Sequence, residues 1–324
     1  VLKFFQNARA ERVREISRAM AMLMRDNTDA YRRHLAGTGH EGLIVDAMNV
    51  TVFRGGAHPD PADLQYRLRE EIGCEISFIG AGELRDLEPA LSSDYSSAAL
   101  IHGQARALDP GRLTKALAEK ARALGATFHQ TEVTALSPQP DGTIALHNAG
   151  DTLRAERMVL AGGIWSADLL KPLGIHLPLM AERGYHLEFS DPGIALHNSI
   201  ADASAKVIAS SMQGGVRIAG TAEFAAADAP PNYARAAALQ PLAQRLFPGL
   251  RTEKARKWMG ARPSFPDNLP AIGRLPGVPN ILTAFGHSHY GLGMAPATAR
   301  LVVEELAGKS NLDLTALNAS RFLR

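Results

Sequence analysis

Asn280-Ile281-Leu282-Thr283-Ala284-Phe285-Gly286-His287-Ser288-His289-Tyr290-Gly291-Leu292-Gly293-Met294-Ala295-Pro296 joins an apolar run to a glycine-studded loop, and then to an amphipathic helix that opens with proline and runs to Gly308. The apolar run has the texture of a buried strand. Strand, tight glycine loop and helix start together aim backbone N–H groups and a partly positive helix end at one spot, which suits an electron-rich, flat ligand. Glycines there let the backbone approach a planar ring closely. The remainder of the chain narrows what that ligand is.

The 324 residues suffice for a large core and for two domains. A hydrophobic content of 46% with 21% charged residues describes an ordinary globular protein. The net charge of +2 offers no electrostatic case for nucleic acid. The single cysteine, Cys74, excludes an internal disulfide and a cysteine metal cluster. It fits a reducing compartment, so a cytoplasmic location is expected, with peripheral contact to the inner face of a membrane left open. No apolar run reaches the ~18–20 residues of a membrane span. Val1 is not a methionine, and the charged helical pattern after it does not read as a signal peptide; a piece or a processed product is expected.

Along the chain, residues 1–36 repeat apolar side chains at helical spacing, and Gly37 and Gly39 end the pattern. Strand-like texture follows over 42–53, then again at 76–79 and 98–102, the last ending in a turn at Gly103. Gly80-Ala81-Gly82 is the nearest approach to a dinucleotide fingerprint after a strand, and it fails because Arg85 holds the third glycine position. Asp109 caps a helix with Pro110 in its first turn, and Gly125 stops it. Strands are expected at 127–129 and 132–136, and at 143–147 after an Asp141-Gly142 turn. Another strand ends at Ala161-Gly162-Gly163, and Ser166 caps a short helix after it. Residues 175–260 read mostly as β. Lys257 to Pro263 and the prolines beyond read as a loop that carries Arg262.

These blocks, in this order, resemble the flavin-dependent amine and amino-acid oxidoreductases, the family of D-amino-acid dehydrogenase, glycine oxidase and sarcosine oxidase. The resemblance rests on Glu132-Val133 followed by Leu160-Ala161-Gly162-Gly163-Ile164-Trp165-Ser166, on Leu173-Gly174-Ile175 with Arg183-Gly184-Tyr185, and on Arg217 to Glu223. It rests further on Gly260-Ala261-Arg262-Pro263 with Pro270-Ala271-Ile272-Gly273, and on Gly286-His287 with Gly291. The implied fold is α/β: a Rossmann-like, glutathione-reductase-type FAD domain from residues 1–36, 106–172 and 268–324, interleaved with a β-sheet substrate domain from 37–105 and 173–267. The family's opening strand, Gly-x-Gly-x-x-Gly turn and helix have no counterpart as a unit, so a chain lacking that first βαβ unit is expected.

The resemblance implies FAD as cofactor and a D-amino acid as the substrate oxidised at its CH–NH2 group, with an oxidase of glycine or sarcosine type, or a binding module unable to hold FAD, as the alternatives. The electron acceptor would be a quinone chain or oxygen. Arg262 is the candidate clamp for the substrate carboxylate, because a guanidinium makes two parallel bonds and keeps its charge. Tyr185, His287 and His289 are the other candidate catalytic residues, with Tyr290 and the segment 102–104 as further candidates for the pocket. Val133, Ala161, Gly162, Gly163, Gly286, His287, Gly291, Leu292, Gly293 and Met294 are the candidate flavin contacts. The pair His287 and His289 lacks a third ligand at a credible spacing, so no metal is expected. Trp165 is expected in the core.

Overall fold

The structure is a computed structural model and describes residues 2–309 and 313–323. Helices α1 (Leu2–Asn7), α2 (Ala10–Met24) and α3 (Asn27–Leu35) lead into strand β1 (Ile44–Arg54). Helix α4 (Leu64–Glu71), β2 (Ile76–Gly80), α5 (Ala81–Leu87), β3 (Tyr95–Ala107) and α6 (Pro110–Ala123) follow. A meander of β4 (Ala135–Pro138), β5 (Ile144–His147) and β6 (Thr152–Ala155) precedes β7 (Met158–Leu160) and α7 (Ser166–Leu170). Then come β8 (Met180–Phe189), β9 (Ser199–Asp202), β10 (Ile208–Met212), β11 (Gly215–Phe224), α8 (Ala234–Ala237) and α9 (Leu239–Leu246). The chain closes with β12 (Ala255–Ser264), β13 (Ala271–Leu275), β14 (Val278–Phe285) and α10 (Gly291–Leu306).

Eight strands form one sheet in the order β12-β8-β11-β10-β9-β1-β3-β2. Its strands come from two stretches, 44–107 and 180–264. One face packs on α5, α8 and α9 around Tyr185, Leu187, Phe189, Ile218 and Phe247. A second, three-stranded sheet, β13-β14-β7, carries α10 and α2 on one side. Strands β14 and β7 run parallel there, so the chain connects them by long crossovers. Ile272, Leu282, Met294 and Leu301 make the core between sheet and helices, together with Leu23 of α2.

The loop expected at 257–263 is instead strand β12, paired to β8 over ten residues with Arg262 opposite Glu182. Gly260 and Pro263 disguised it. Proline is tolerated because β12 is the edge strand of the sheet, where a missing N–H breaks no second ladder. Gly103 does not end a strand either: it takes a positive φ of 65° inside β3, beside a register shift between Ala47 and Asn49 of β1. That is a bulge, which glycine accommodates. Conversely, the strand expected at 127–129 is absent, and of the strand expected at 132–136 only Ala135 and Leu136 are in one, the start of β4; 126–134 has no regular structure. A strand needs a ladder of hydrogen bonds, and among the described residues 127–134 has only the backbone bond from the Thr134 N–H to the His147 carbonyl, 2.8 Å, at the edge of β4.

Three smaller expectations also change. Ser166 begins α7 rather than capping it, and its buried hydroxyl has no hydrogen-bond partner. Trp165 lies 63% exposed rather than in the core. Pro296 sits inside α10 rather than opening it. A proline there cannot bond the carbonyl of Leu292. Tyr31 of α3 donates its hydroxyl to that carbonyl instead, at 2.7 Å, and Asn27 donates to the carbonyl of Gly293 at 3.2 Å.

Candidate functional site

The quoted stretch folds as its pattern predicts: strand β14, a loop over 286–290, then α10. Gly286 has a φ of 86°, and a Cβ there would fall 2.2 Å from the ring of Phe265. Only glycine fits that close approach. Ser288 adopts a φ of 52°, a conformation rare outside glycine, and its N–H is held by the carbonyl of Pro263 at 2.9 Å. The first intrahelical bond of α10 runs from Met294 N–H to the Tyr290 carbonyl at 3.0 Å. The N–H groups of Gly291, Leu292 and Gly293 therefore have no intrahelical acceptor and carry the positive end of the helix dipole.

A groove runs from this helix start along the ends of β7 and β14. Val159, Ala161, Ala284, Gly291, Ala295 and Ala299 line it, with His287 and Thr298 at its polar end. Val302, Val303 and Leu306 continue its apolar wall along α10. β7 is the edge of its sheet, and Val159 is 38% exposed. His287 Nε2 bonds Thr298 Oγ1 at 3.0 Å, and burial pulls the imidazole down to about 4. His287 is thus neutral at physiological pH. His289 turns elsewhere: its ring centroid lies 3.9 Å from that of Tyr290 with the planes tilted by 39°, and its Nδ1 lies 3.3 Å from Ser288 Oγ. The two histidines do not converge on one point.

The second half of the site is the end of β12. Ser264 bridges to His287 in an isolated antiparallel pair, which lays β12 against the glycine loop. Arg262 Nη1 donates to Glu182 Oε1 at 3.2 Å, and Ser264 Oγ donates to Glu182 Oε2 at 3.0 Å. Ser264 and Ser288 hydroxyls lie 3.0 Å apart, so a hydrogen-bonded chain links Arg262 to the loop. Loss of hydration and the Arg262 charge both lower the pKa of His289, while Glu182 works against them. Arg262 thereby stands within electrostatic reach of the loop. Its guanidinium lies flat over Gly184, where a Cβ would meet it at 2.2 Å.

Tyr185 does not join this group. On a strand, successive side chains face opposite sides. Glu182, Gly184 and His186 share the Arg262 face, whereas Arg183 and Tyr185 enter the core, each 1% exposed. Tyr185 donates to Glu223 at 2.7 Å and accepts from Arg183 at 3.3 Å and from the Asn232 N–H at 3.0 Å. Its hydrogen bonds tie core elements together. Met294 is likewise fully buried, packed with Leu23. Ala161 reaches the groove, Gly162 and Gly163 follow it in the next turn, and Val133 packs against the core of Leu136 and Leu160. Leu292 is 41% exposed at the helix start. His102 is bonded to Ser77 Oγ at 2.7 Å.

Glu182, Ser264, Ser288 and Thr298 escaped the sequence reading. Once β12 is a strand, Glu182 is simply the cross-strand partner of Arg262, but that register is invisible in a stretch read as loop. One glycine pattern was also overlooked: Gly37-Thr38-Gly39-His40-Glu41-Gly42 has Gly-x-Gly-x-x-Gly spacing. It follows helix α3 and leads into β1, the reverse of the strand-to-helix turn that cradles a pyrophosphate.

The chain matches the family model described as FAD dependent oxidoreductase over residues 6–305. It is 33% identical over 317 residues to a D-amino-acid oxidase from Bradyrhizobium diazoefficiens, covering 96% of this chain and 75% of that one. Among solved structures it is similar to glycine oxidase from Geobacillus kaustophilus, with a TM-score of 0.76, 24% identity, and coverage of 90% of this chain and 82% of that one. L-proline dehydrogenase from P. horikoshii gives a TM-score of 0.78 at 19% identity, covering 93% and 82%. A family match across nearly the whole chain, a relative above 30% identity and a shared fold agree: this chain belongs to the DAO family of FAD-dependent oxidoreductases.

Proposed function

We propose that this chain binds FAD and oxidises the CH–NH2 group of a D-amino acid. The observation that carries the proposal is the junction of β12 with the 286–290 loop, which puts a hydrogen-bonded guanidinium near a helix N-terminus and an apolar groove. The apolar groove and the N–H groups of α10 without an intrahelical acceptor fit the ring end of a flavin, which gathers negative charge on reduction. The ribityl and phosphate end finds less: among the described residues no Gly-x-Gly-x-x-Gly turn joins the end of a strand to the start of a helix.

When bound, FAD supplies an acceptor for the hydride leaving Cα. The chain's own residues bind and orient. Arg262 receives the substrate carboxylate; its one hydrogen bond among the described residues uses Nη1, so further N–H donors remain. The N–H groups of Gly291, Leu292 and Gly293 would donate to the end of the flavin ring that becomes anionic on reduction. Neutral His287, held by Thr298, adds no positive charge there. The α-amino acid loses a hydride and a proton to become an imino acid, and water converts that to a 2-oxo acid and ammonia. The 33% identity to a D-amino-acid oxidase supports the D configuration. No helix among the described residues is long and apolar enough to cross a membrane.

A second reading is a binding module that cannot retain FAD, and the unpaired edge of β7 favours it. The purified chain, incubated with FAD and desalted, separates the two: retained yellow colour supports the oxidoreductase, and a colourless chain removes it. With flavin retained, turnover of D-alanine, L-alanine, glycine and sarcosine, read with a dye and by peroxide release, identifies the substrate and the acceptor. Preference for D-alanine is expected; equal use of the L isomer would overturn the assignment.

A further inference from the structure

We infer that Glu182 recognises the substrate's ammonium group, so that Arg262 and Glu182 together read a zwitterion; this rests on the amino-acid reading above. The two residues are register partners across β12 and β8, and both point to the open side of the sheet. The side chain of Glu182 is 16% exposed and that of Arg262 31%, so each shows an edge to solvent on the same side. Glu182 Oε1 accepts from Arg262 and Oε2 from Ser264. A carboxylate has about four acceptor positions, so each oxygen keeps capacity for another donor. The bond to Ser264, and through it to Ser288, fixes the carboxylate and not merely the guanidinium.

The charge logic points the same way. A carboxylate beside the clamp offsets much of the attraction Arg262 exerts on a ligand that carries only a carboxylate. For a ligand with an ammonium on the adjacent carbon, the same carboxylate becomes a second anchor. The pair therefore favours α-amino acids with a free amine over 2-hydroxy acids and unsubstituted carboxylates. Selection of this kind works by leaving a polar group unpaired in the wrong complex. Glu182 is a binding and positioning residue here, and it transfers no proton.

D-alanine and propionate share a carbon skeleton and differ by the amine, which makes them the probes. Calorimetric binding of each to the FAD-supplemented full chain is compared for the wild type, Glu182→Gln and Glu182→Asp. Glu182→Gln is expected to weaken D-alanine by about tenfold or more, while propionate binds as before or more tightly. Glu182→Asp keeps the charge and is expected to restore part of the preference. Equal weakening of both ligands in Glu182→Gln would reduce Glu182 to a support for Arg262 and overturn the inference, as would unchanged binding of both. Failure of the wild type to bind D-alanine at all would remove the amino-acid reading and the inference with it.

Discussion

Gly184→Ala tests the clamp without touching it. The guanidinium of Arg262 lies over Gly184, and an added Cβ would sit 2.2 Å from Nη2, 2.3 Å from Cζ and 2.6 Å from Nη1. Carbon contacts are comfortable at about 3.5–4.0 Å, so the guanidinium must retreat by more than about 1 Å. A displacement of that size can cost on the order of a hundredfold in a positioned reaction. Loss of one charged hydrogen bond costs about 1.5–3 kcal/mol, or roughly 10–100-fold in affinity. The fold should barely notice. The clash is with the far end of a flexible side chain, and alanine in a strand interior gains about 0.5–1 kcal/mol over glycine. We expect KM for a D-amino acid to rise about 10–100-fold, with the melting temperature and flavin content close to wild type. Steady-state kinetics and a thermal melt measure both sides. A KM within twofold of wild type in a normally folded protein would refute the clamp geometry.

Tyr31→Phe removes the hydroxyl that satisfies the Leu292 carbonyl left open by Pro296. A part-buried acceptor left without its partner costs up to about 1–3 kcal/mol, so denaturant unfolding should show a loss within that range. No loss would mean that water replaces the hydroxyl at the helix start. His287, at about 4, lies below the ordinary histidine value of 6.5 because it is buried. The unfolded chain therefore takes up a proton from pH 6.5 downward while the folded chain resists until about 4. This part of the stability is present above pH 6.5, is lost as pH falls towards 4, and amounts to about 3 kcal/mol. His186, also held at about 4 chiefly by burial, adds a second proton over the same range. His287→Gln should remove one of the two from the slope of stability against pH; an unchanged slope would place the titration elsewhere.

How much of this was legible in the sequence depended on whether local signals decided the matter. The strand, glycine loop and helix of 280–308 needed no tertiary information, because their periodicity and glycines are local. The helix cap is equally local: Asp109 accepts from the Arg112 N–H at 3.0 Å. Residues 127–129 failed for the opposite reason, since strand texture without a paired strand makes no strand. β12 failed because a proline and a glycine mimic a loop, and only the edge position of the strand makes Pro263 harmless. That one misreading hid Glu182 and also misplaced Tyr185. Strand parity turns Tyr185 away from Arg262, yet parity can be applied only once the partner is known to be a strand.

The central claim is that Arg262 anchors the substrate at a flavin held by the 286–294 segment. Its most direct test is flavin absorbance of the FAD-loaded chain, followed without oxygen as a D-amino acid is added, in the wild type and in Arg262→Ala. Bleaching of the wild type, with Arg262→Ala still yellow and unbleached at the same concentration, is the expected result. Equal bleaching of the two proteins would contradict the account.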